Sequence, residues 1–549
     1  MADIEVYRAR RVITMEPDMP FANAVAVLDG RILQVGEIED LRFISGAQVV
    51  DQFAQKVILP GFVEGHAHIA AGSVWRMCYL GFFDREGPNG ERWPGLKSLD
   101  AVIERLQDAQ HLCVEKAEPL LGWGFDPLYF GGIHMTANHL DEVSTTRPVL
   151  VLHNTFHALN INSAALHAAG IDRTVTAEGL VSDEAGSPTG EIREFALMQL
   201  VMASLNVDLL FADPTETDIW DYASVARRAG VTTACDMANL LSGETLRILQ
   251  RVTTSDAFPL RLVPLFLGRP GDPAPQLKRI AEAIGYGNEK LHLGRVKLIT
   301  DGAITAFTAR IKKPGYFNGA PNGLWNMPPA ELYSKVRAFH DAGYQIHVHV
   351  NGDEASELAL EVFEKVQRES PQTRLKHTFQ HCQMMDVSQF RRLACLGISA
   401  NLFTNHIYYY GDVHYETTLG SHRAGCLNAA ASALKAGVTI SIHSDAPVTP
   451  LAPLFTAWVS INRTTSSGRL LGSEERLSLD EALYAITMGA ARSLQLDDQI
   501  GSISPGKHAD FAILDDDPYS VLPEFLKDIA VSGTVVGGVY FPKKRQSES

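Results

Sequence analysis

Between residues 57 and 445, eight short apolar runs alternate with stretches of helical periodicity, and this alternation leaves the chain few folds to adopt. The runs are 57–68, Val231–Asp236, Arg261–Leu267, Arg295–Thr300, Tyr344–Val350, His377–His381, Gly397–Leu402 and Val438–Asp445. Apolar strands joined by helices mark βαβ units, whose crossovers make neighbouring strands parallel and cover both faces of the sheet. Repeated in this way they predict an α/β protein whose strands close into a (β/α)8 TIM barrel. Residues from about 75 to 215 then form an insertion after the first strand, of the kind that builds a lid or pocket wall. That insertion contains a further strand candidate, Arg147–His153, which fits poorly with a count of eight.

The two ends of the chain read differently. Ile4–Val12, Ala22–Leu28 and Arg31–Val35 are β-like, with Asp29-Gly30 as a hairpin turn. Asp510–Asp515 and Ile529–Phe541 carry the same pattern, punctuated by Gly533, Gly537 and Gly538. We expect residues 1–58 and 500–549 to form a small β-sandwich domain beside a barrel domain of residues 59–499. The polar tail from Lys543 onward is expected to fray.

A net charge of −16 argues against general affinity for nucleic acid or an anionic membrane. The start, Met1-Ala-Asp-Ile, lacks the pattern of a signal peptide, and no run approaches the roughly twenty apolar residues of a membrane span. Six cysteines (Cys78, Cys113, Cys235, Cys382, Cys395 and Cys426) include no Cys-x-x-Cys pair. They suit reduced thiols in a cytoplasmic protein.

Barrel enzymes place their chemistry at the carboxyl ends of the strands. There the chain sets His66 and His68, Lys297, His349, His381 and Asp445. His66 and His68, one residue apart, would share a strand face, and neutral imidazole is a good zinc ligand. A lone buried histidine is normally a satisfied core residue, and an isolated Asp445 would merely cap a turn. Gathered on one barrel rim, they read as a metal site.

Several segments resemble the amidohydrolase superfamily of metal-dependent hydrolases, within it the group of YtcJ-like proteins and N-substituted formamide deformylases (amidohydrolase family 3). They are Pro60-Gly-Phe-Val-Glu-Gly-His-Ala-His, Val296-Lys-Leu-Ile-Thr-Asp-Gly-Ala, Gly343-Tyr-Gln-Ile-His-Val-His-Val-Asn-Gly-Asp-Glu-Ala and Gln380-His-Cys-Gln. Ser441-Ile-His-Ser-Asp-Ala-Pro-Val, Thr487-Met-Gly-Ala-Ala-Arg and Gly501-Ser-Ile-Ser-Pro-Gly-Lys-His-Ala-Asp complete a likeness that spans almost the whole chain. By that resemblance His66, His68, His349, His381 and Asp445 hold one or two divalent ions. Many relatives carboxylate the strand-four lysine with carbon dioxide. The resemblance therefore implies a carbamate on Lys297 bridging two zinc ions, with manganese, iron or nickel as alternatives. An unmodified ammonium, with a pKa near ~10.4, would repel the metal; Lys297 would then be an ion pair with Asp301 or Asp445. His347 shares the face of His349 but lies deeper, and the family motif, His followed by x-x-Gly-Asp, selects His349.

The implied function is hydrolysis of a carbon–nitrogen bond in a small non-peptide amide, formamide or cyclic amide by metal-activated water. Asp445 would be general base and then acid, with His381 helping to polarise the carbonyl. An ester, lactone or carbamate hydrolase is the alternative on the same site, and a non-catalytic binding or regulatory protein is the alternative from another class. Trp123, Asp126 and His157 in the insertion, Asp301 after strand four, and His406 and Tyr408 on a rim loop after strand seven are candidate substrate residues; Asp301 and Asn351 are also candidates to orient ligands. The partner is a small-molecule substrate, and a homodimer is the assembly that relatives suggest.

Overall fold

Gly61 is where the chain leaves one sheet for another. In the computed structural model, which describes residues 4–112, 118–207 and 213–543, Val57–Pro60 pairs with the terminal strands Ile4–Ile13 and Phe511–Leu514. Phe62–Glu64 pairs instead with Val231–Asn239. A Cβ on Gly61 would lie 1.9 Å from Thr232 Oγ1, so glycine alone lets the two sheets approach this closely. The single strand expected over 57–68 is thus two short strands in two sheets, and His66 and His68 lie just past the second.

The central sheet has eight parallel strands in chain order. They are β1 Phe62–Glu64, β2 Val231–Asn239, β3 Arg261–Leu267, β4 Arg295–Ile299, β5 Gln345–Val350, β6 Thr378–His381, β7 Ser399–Leu402 and β8 Ile440–Ile442. The edge strands β1 and β8 meet beyond their carboxyl ends through a parallel bridge, Ala67 to Ala446. Asp445 N donates to His66 O at 3.0 Å and His68 N donates to Ala446 O at 2.9 Å on either side of it. Amphipathic helices such as Glu216–Arg228, Gly243–Thr253 and Asp353–Glu369 turn Ile219, Tyr222, Leu246, Leu249, Leu360 and Phe363 onto the strands, and these residues share one core.

The insertion folds as a separate sheet. Its order is Leu180–Ser182, Pro188–Arg193, Ala158–Ile161, Val149–His153, Leu120–Phe125 and Cys78–Tyr79. The extra strand candidate, observed as Val149–His153, belongs here and leaves the barrel count intact. Trp123, Leu152, Leu159 and Met198 form one core of this unit, and Leu106, Phe125 and Val151 form another.

Strands from both ends of the chain enter one sheet. Val539–Pro542, Val531–Val536, Phe511–Leu514, Val57–Pro60, Ile4–Ile13, Phe21–Leu28 and Arg31–Gly36 follow one another in it, with Ala47–Val50 added to Ile4–Ile13. The hydrogen bonding describes a single eight-stranded sheet where a sandwich of two facing sheets was expected. Asp29 and Gly30 both have positive φ, 50° and 73°, as a tight two-residue hairpin requires. Arg261 at the start of β3 reaches across to Asp510 with hydrogen bonds of 2.6 and 3.0 Å, a buried ion pair between barrel and terminal sheet.

Five described cysteines, Cys78, Cys235, Cys382, Cys395 and Cys426, are free thiols; Cys113 and the tail residues 544–549 lie outside the described residues. Among the described residues no helix is long and apolar enough to cross a membrane.

Candidate metal centre

Alternate residues of a strand face opposite ways, and here the two faces differ in chemistry. Val296, Leu298, Ile346, Val348 and Phe379 join the apolar core under the helices, which leaves Lys297, His347, His349 and Gln380 to the barrel interior. Gln380 organises that interior. Its Nε2 donates to His347 Nδ1 at 2.8 Å, while Oε1 accepts from Asn401 Nδ2 at 2.9 Å and from His66 Nδ1 at 2.7 Å. His66 is thereby assigned the tautomer protonated at Nδ1, with the Nε2 lone pair free for a ligand.

That lone pair points at a carboxylate. His66 Nε2 is 3.4 Å and His68 Nε2 3.2 Å from Asp445 Oδ1. The ligand atoms of His66, His68 and Asp445 lie within 4.8 Å of one another, as do those of His66, His381 and His443. His381 Nδ1 is 3.8 Å from Asp445 Oδ2 and 3.2 Å from His443 Nε2. His381 and Asp445 have φ of 69° and 52°, a left-handed conformation unusual for such residues and found where surroundings impose it. The turn explains how consecutive residues Gln380 and His381 both reach the site.

His349 stands slightly apart, with its ring 4.5 Å from that of His381 between centroids and its Nε2 3.0 Å from Asn351 Nδ2. Lys297 is 2% exposed, its Nζ has no hydrogen-bond partner, and neither Asp301 nor Asp445 forms an ion pair with it. His347 is fully buried and engaged with Gln380, below the cavity wall to which His349 belongs.

Burial sets the charges. It lowers His66, His349 and His381 well below the usual histidine range, helped by the positive charge of Lys297, and so keeps the imidazoles neutral. His443 is lowered to about 3, again chiefly by burial. Burial also lowers Lys297 to about 7, against the pull of Asp445, so that much of it is neutral amine near neutrality. Asp445 is pushed up by burial, but its hydrogen bond and charge interaction with His68, with His443 and Lys297 adding, hold it below the ordinary carboxylate value. Neutral imidazoles, an ionised carboxylate and an amine with no partner form a donor set that fits a divalent ion.

The cavity above this cluster has a volume of about 710 Å³. Its wall includes His66, His68, Lys297, His349, His381 and Asp445, together with His157 and His406. Asp301 is not in that wall. It is fully buried and accepts from the backbone amides of Asn351, Gly352 and Arg310 at 3.1, 2.9 and 3.0 Å, fixing the ends of β4 and β5. Trp123, Asp126 and Tyr408 also lie away from it. Trp123 packs on Trp75 and Tyr79 in the insertion core, and Asp126 caps the turn at Leu128. Tyr408 stacks edge-on against Phe455 and Trp458, and its segment, Asn405–Val413, is a helix rather than the expected loop.

Four residues were passed over in the sequence. His443 and Glu64 stand in the motifs around Asp445 and His66, and Gln380 precedes His381; alternation along the strand was the available signal for Gln380. Glu64 Oε2 accepts from Ser444 Oγ at 2.7 Å and Oε1 from His66 N at 3.1 Å, and burial raises this carboxyl to about 8. Glu194, the partner of His157, carries no local signal at all.

The sequence profile of the amidohydrolase family matches residues 53–541. The chain is 28% identical to the Arabidopsis thaliana protein LONG AFTER FAR-RED 3 over 96% of its own length and 89% of that protein. It is 27% identical to an N-substituted formamide deformylase from Arthrobacter pascens over 98% of both chains. A crystal structure of a metal-dependent hydrolase from Pyrococcus horikoshii superposes with a TM-score of 0.72 at 22% identity, covering 95% of this chain and 99% of that one. That last likeness speaks for the fold.

Proposed function

The chain belongs to the amidohydrolase family, and from that premise we propose that it is a metal-dependent hydrolase cleaving the carbon–nitrogen bond of a small non-peptide amide, formamide or cyclic amide. One observation carries the reading: the Nε2 atoms of His66 and His68 converge on the Asp445 carboxylate beside a buried Lys297 amine without a hydrogen-bond partner. The formamide deformylase likeness supports the choice of bond.

In this reading His66, His68, His349, His381 and Asp445 hold two divalent ions, zinc in the first instance, together with Lys297 as a carbamate. The neutral Lys297 amine adds to carbon dioxide, forming an N–C bond and releasing one proton; the charge changes from zero on the amine to −1 on an oxygen ligand. When bound, the metal supplies Lewis acidity and makes water acidic enough to ionise near neutrality. Asp445, ionised and at the mouth of the barrel, takes the proton from the attacking water. The water oxygen bonds to the acyl carbon, the C–N bond breaks, and Asp445 returns the proton to the departing nitrogen. Gln380 holds His66 in the tautomer this requires, and the protein works as a reduced cytoplasmic enzyme, a homodimer in its assembly.

Purified protein should carry stoichiometric metal and hydrolyse at least one of N-hexylformamide, N-hexylacetamide and glutarimide, with loss on chelation. Asp445→Asn should lower turnover by roughly 10²–10⁴-fold, and Lys297→Met should reduce the metal count. Metal-free protein with no turnover after zinc loading would overturn the proposal.

A further inference from the structure

The insertion delivers a histidine to the site in a manner that packing alone does not require. Its strands Ala158–Ile161 and Pro188–Arg193 are antiparallel with Ala158 opposite Arg193, so the next residues outward, His157 and Glu194, also face each other. Glu194 N donates to His157 O at 2.9 Å, and His157 Nδ1 lies 3.2 and 3.0 Å from the two Glu194 carboxylate oxygens. With Nδ1–H committed to Glu194, Nε2 is the ring atom left to the cavity that His157 lines. The ring sits between the Phe195 ring, 5.1 Å away, and that of His349, 6.2 Å away between centroids.

Glu194 is held harder than a packing residue. It is 6% exposed, with φ 62° and ψ 155°, a backbone region populated almost solely by glycine. Asn326 Nδ2, from the loop after β4, donates to it at 3.3 Å. Gly302, just past β4, makes room for Thr308 and for Glu194: a Cβ there would lie 2.6 Å from Thr308 Cβ and 2.8 Å from Glu194 Oε1. The same Gly302 carbonyl contacts His349 Nε2 at 3.3 Å and accepts from Asn351 Nδ2 at 2.8 Å. The insertion and the barrel rim are therefore locked together at the point where His157 enters. Among the described residues His157 is the ion-pair partner of the buried Glu194 carboxylate, and a buried carboxylate paired in this way favours the imidazolium, which presents Nε2–H to the cavity.

Building on the hydrolase reading, we infer that His157 is a catalytic residue: its Nε2–H donates to the acyl oxygen of the substrate and stabilises the negative charge that develops there, while Glu194 is the positioning residue that orients the ring. A fixed donor aimed at a developing oxyanion in a buried site acts without reorganisation. The insertion thus does more than cover the site: through His157 it completes the site's charge complement.

n-Hexylphosphonate, a tetrahedral anion with an apolar arm, is the probe. Zinc-loaded wild-type protein should bind it, and His157→Asn should weaken binding at least tenfold with metal content unchanged and kcat, more than KM, reduced on whichever test amide the wild type hydrolyses. Glu194→Gln should weaken phosphonate binding in the wild-type background and add nothing in His157→Asn, whereas Glu194→Asp should restore part of it. Unchanged phosphonate affinity and kcat in His157→Asn, or a lowered Tm with both intact, would overturn the inference while leaving the hydrolase reading in place. Failure of the metal-loaded wild type to bind phosphonate and to hydrolyse any of the three amides would overturn both.

Discussion

At the scale of single residues, the centre depends on proton placement as much as on ligand identity. Gln380 reads as an ordinary strand residue, yet it sets the tautomer of His66 and engages His347 at the same time. Replacing it with leucine would leave His66 free to protonate at either nitrogen and expose the His347 nitrogen to an apolar neighbour. We expect Gln380→Leu to weaken metal binding by about 10–100-fold, the usual effect of removing a partner of a metal-bound histidine; equilibrium dialysis against zinc measures it, and unchanged affinity would remove Gln380 from this role. Alternation along β4 to β6 made the inward column legible in principle. What the sequence could not provide was depth, since His347 and His349 share a face and differ in which of them reaches the cavity. Nor could it separate a rim aromatic from a packed one: Trp123 and Tyr408 have the composition of a substrate wall and the environment of a core.

At the scale of elements, the strand pattern foretold the barrel because eight apolar runs and their helices are a local signal repeated many times. It failed at 57–68, where two sheets share one continuous apolar run and the only mark of the division is Gly61. Gly61→Ala should destabilise the protein, since the added methyl meets the Thr232 side chain; a Tm equal to wild type would show that the strands can move apart. The Arg261–Asp510 pair makes a second connection between the same two sheets. Burial pushes the Asp510 carboxyl up, but the Arg261 charge outweighs it and holds the group below its ordinary value. A depressed carboxyl contributes stability above its unfolded pKa, and that contribution is lost as pH falls through the folded one. Asp510→Asn should therefore cost about 3–5 kcal/mol at neutral pH, because it leaves a guanidinium buried without its counter-charge. The cost should shrink as the pH falls below about 4, which urea unfolding at several pH values would detect. A cost independent of pH would show that the pair is not what Asp510 contributes.

At the scale of the whole molecule, the ring of strands meets the insertion sheet at the barrel mouth and the terminal sheet at the amino ends of β1 and β3. The proposed ligands come from β4, β5, β6 and the segments after β1 and β8, so a bound ion would join segments far apart in the chain. Ligands that bind the folded state alone stabilise it in proportion to RT ln(1 + [L]/Kd), about 4 kcal/mol at a thousandfold excess over Kd. Chelation should accordingly lower Tm, with the loss reversed by zinc, and calorimetry showing no change would speak against a resident metal. The insertion is less legible in the sequence because its strands are short and the residues it brings to the cavity, such as Leu121, Phe156, His157 and Phe195, are scattered along it.

The terminal sheet also bears on the order in which the protein is made. Val57–Pro60, which leads straight into β1 and the first two histidines, is flanked on one side by Phe511–Leu514. During synthesis that flank stays open until Phe511–Leu514 has emerged, and the outer strands Val531–Val536 and Val539–Pro542 add beyond it later still. The segment bearing His66 and His68 is thus translated early but gains its last sheet neighbour late, after every other proposed ligand has been made. An exposed edge held open for so long is a surface on which nascent chains can pair wrongly, and Phe511–Leu514 covers it.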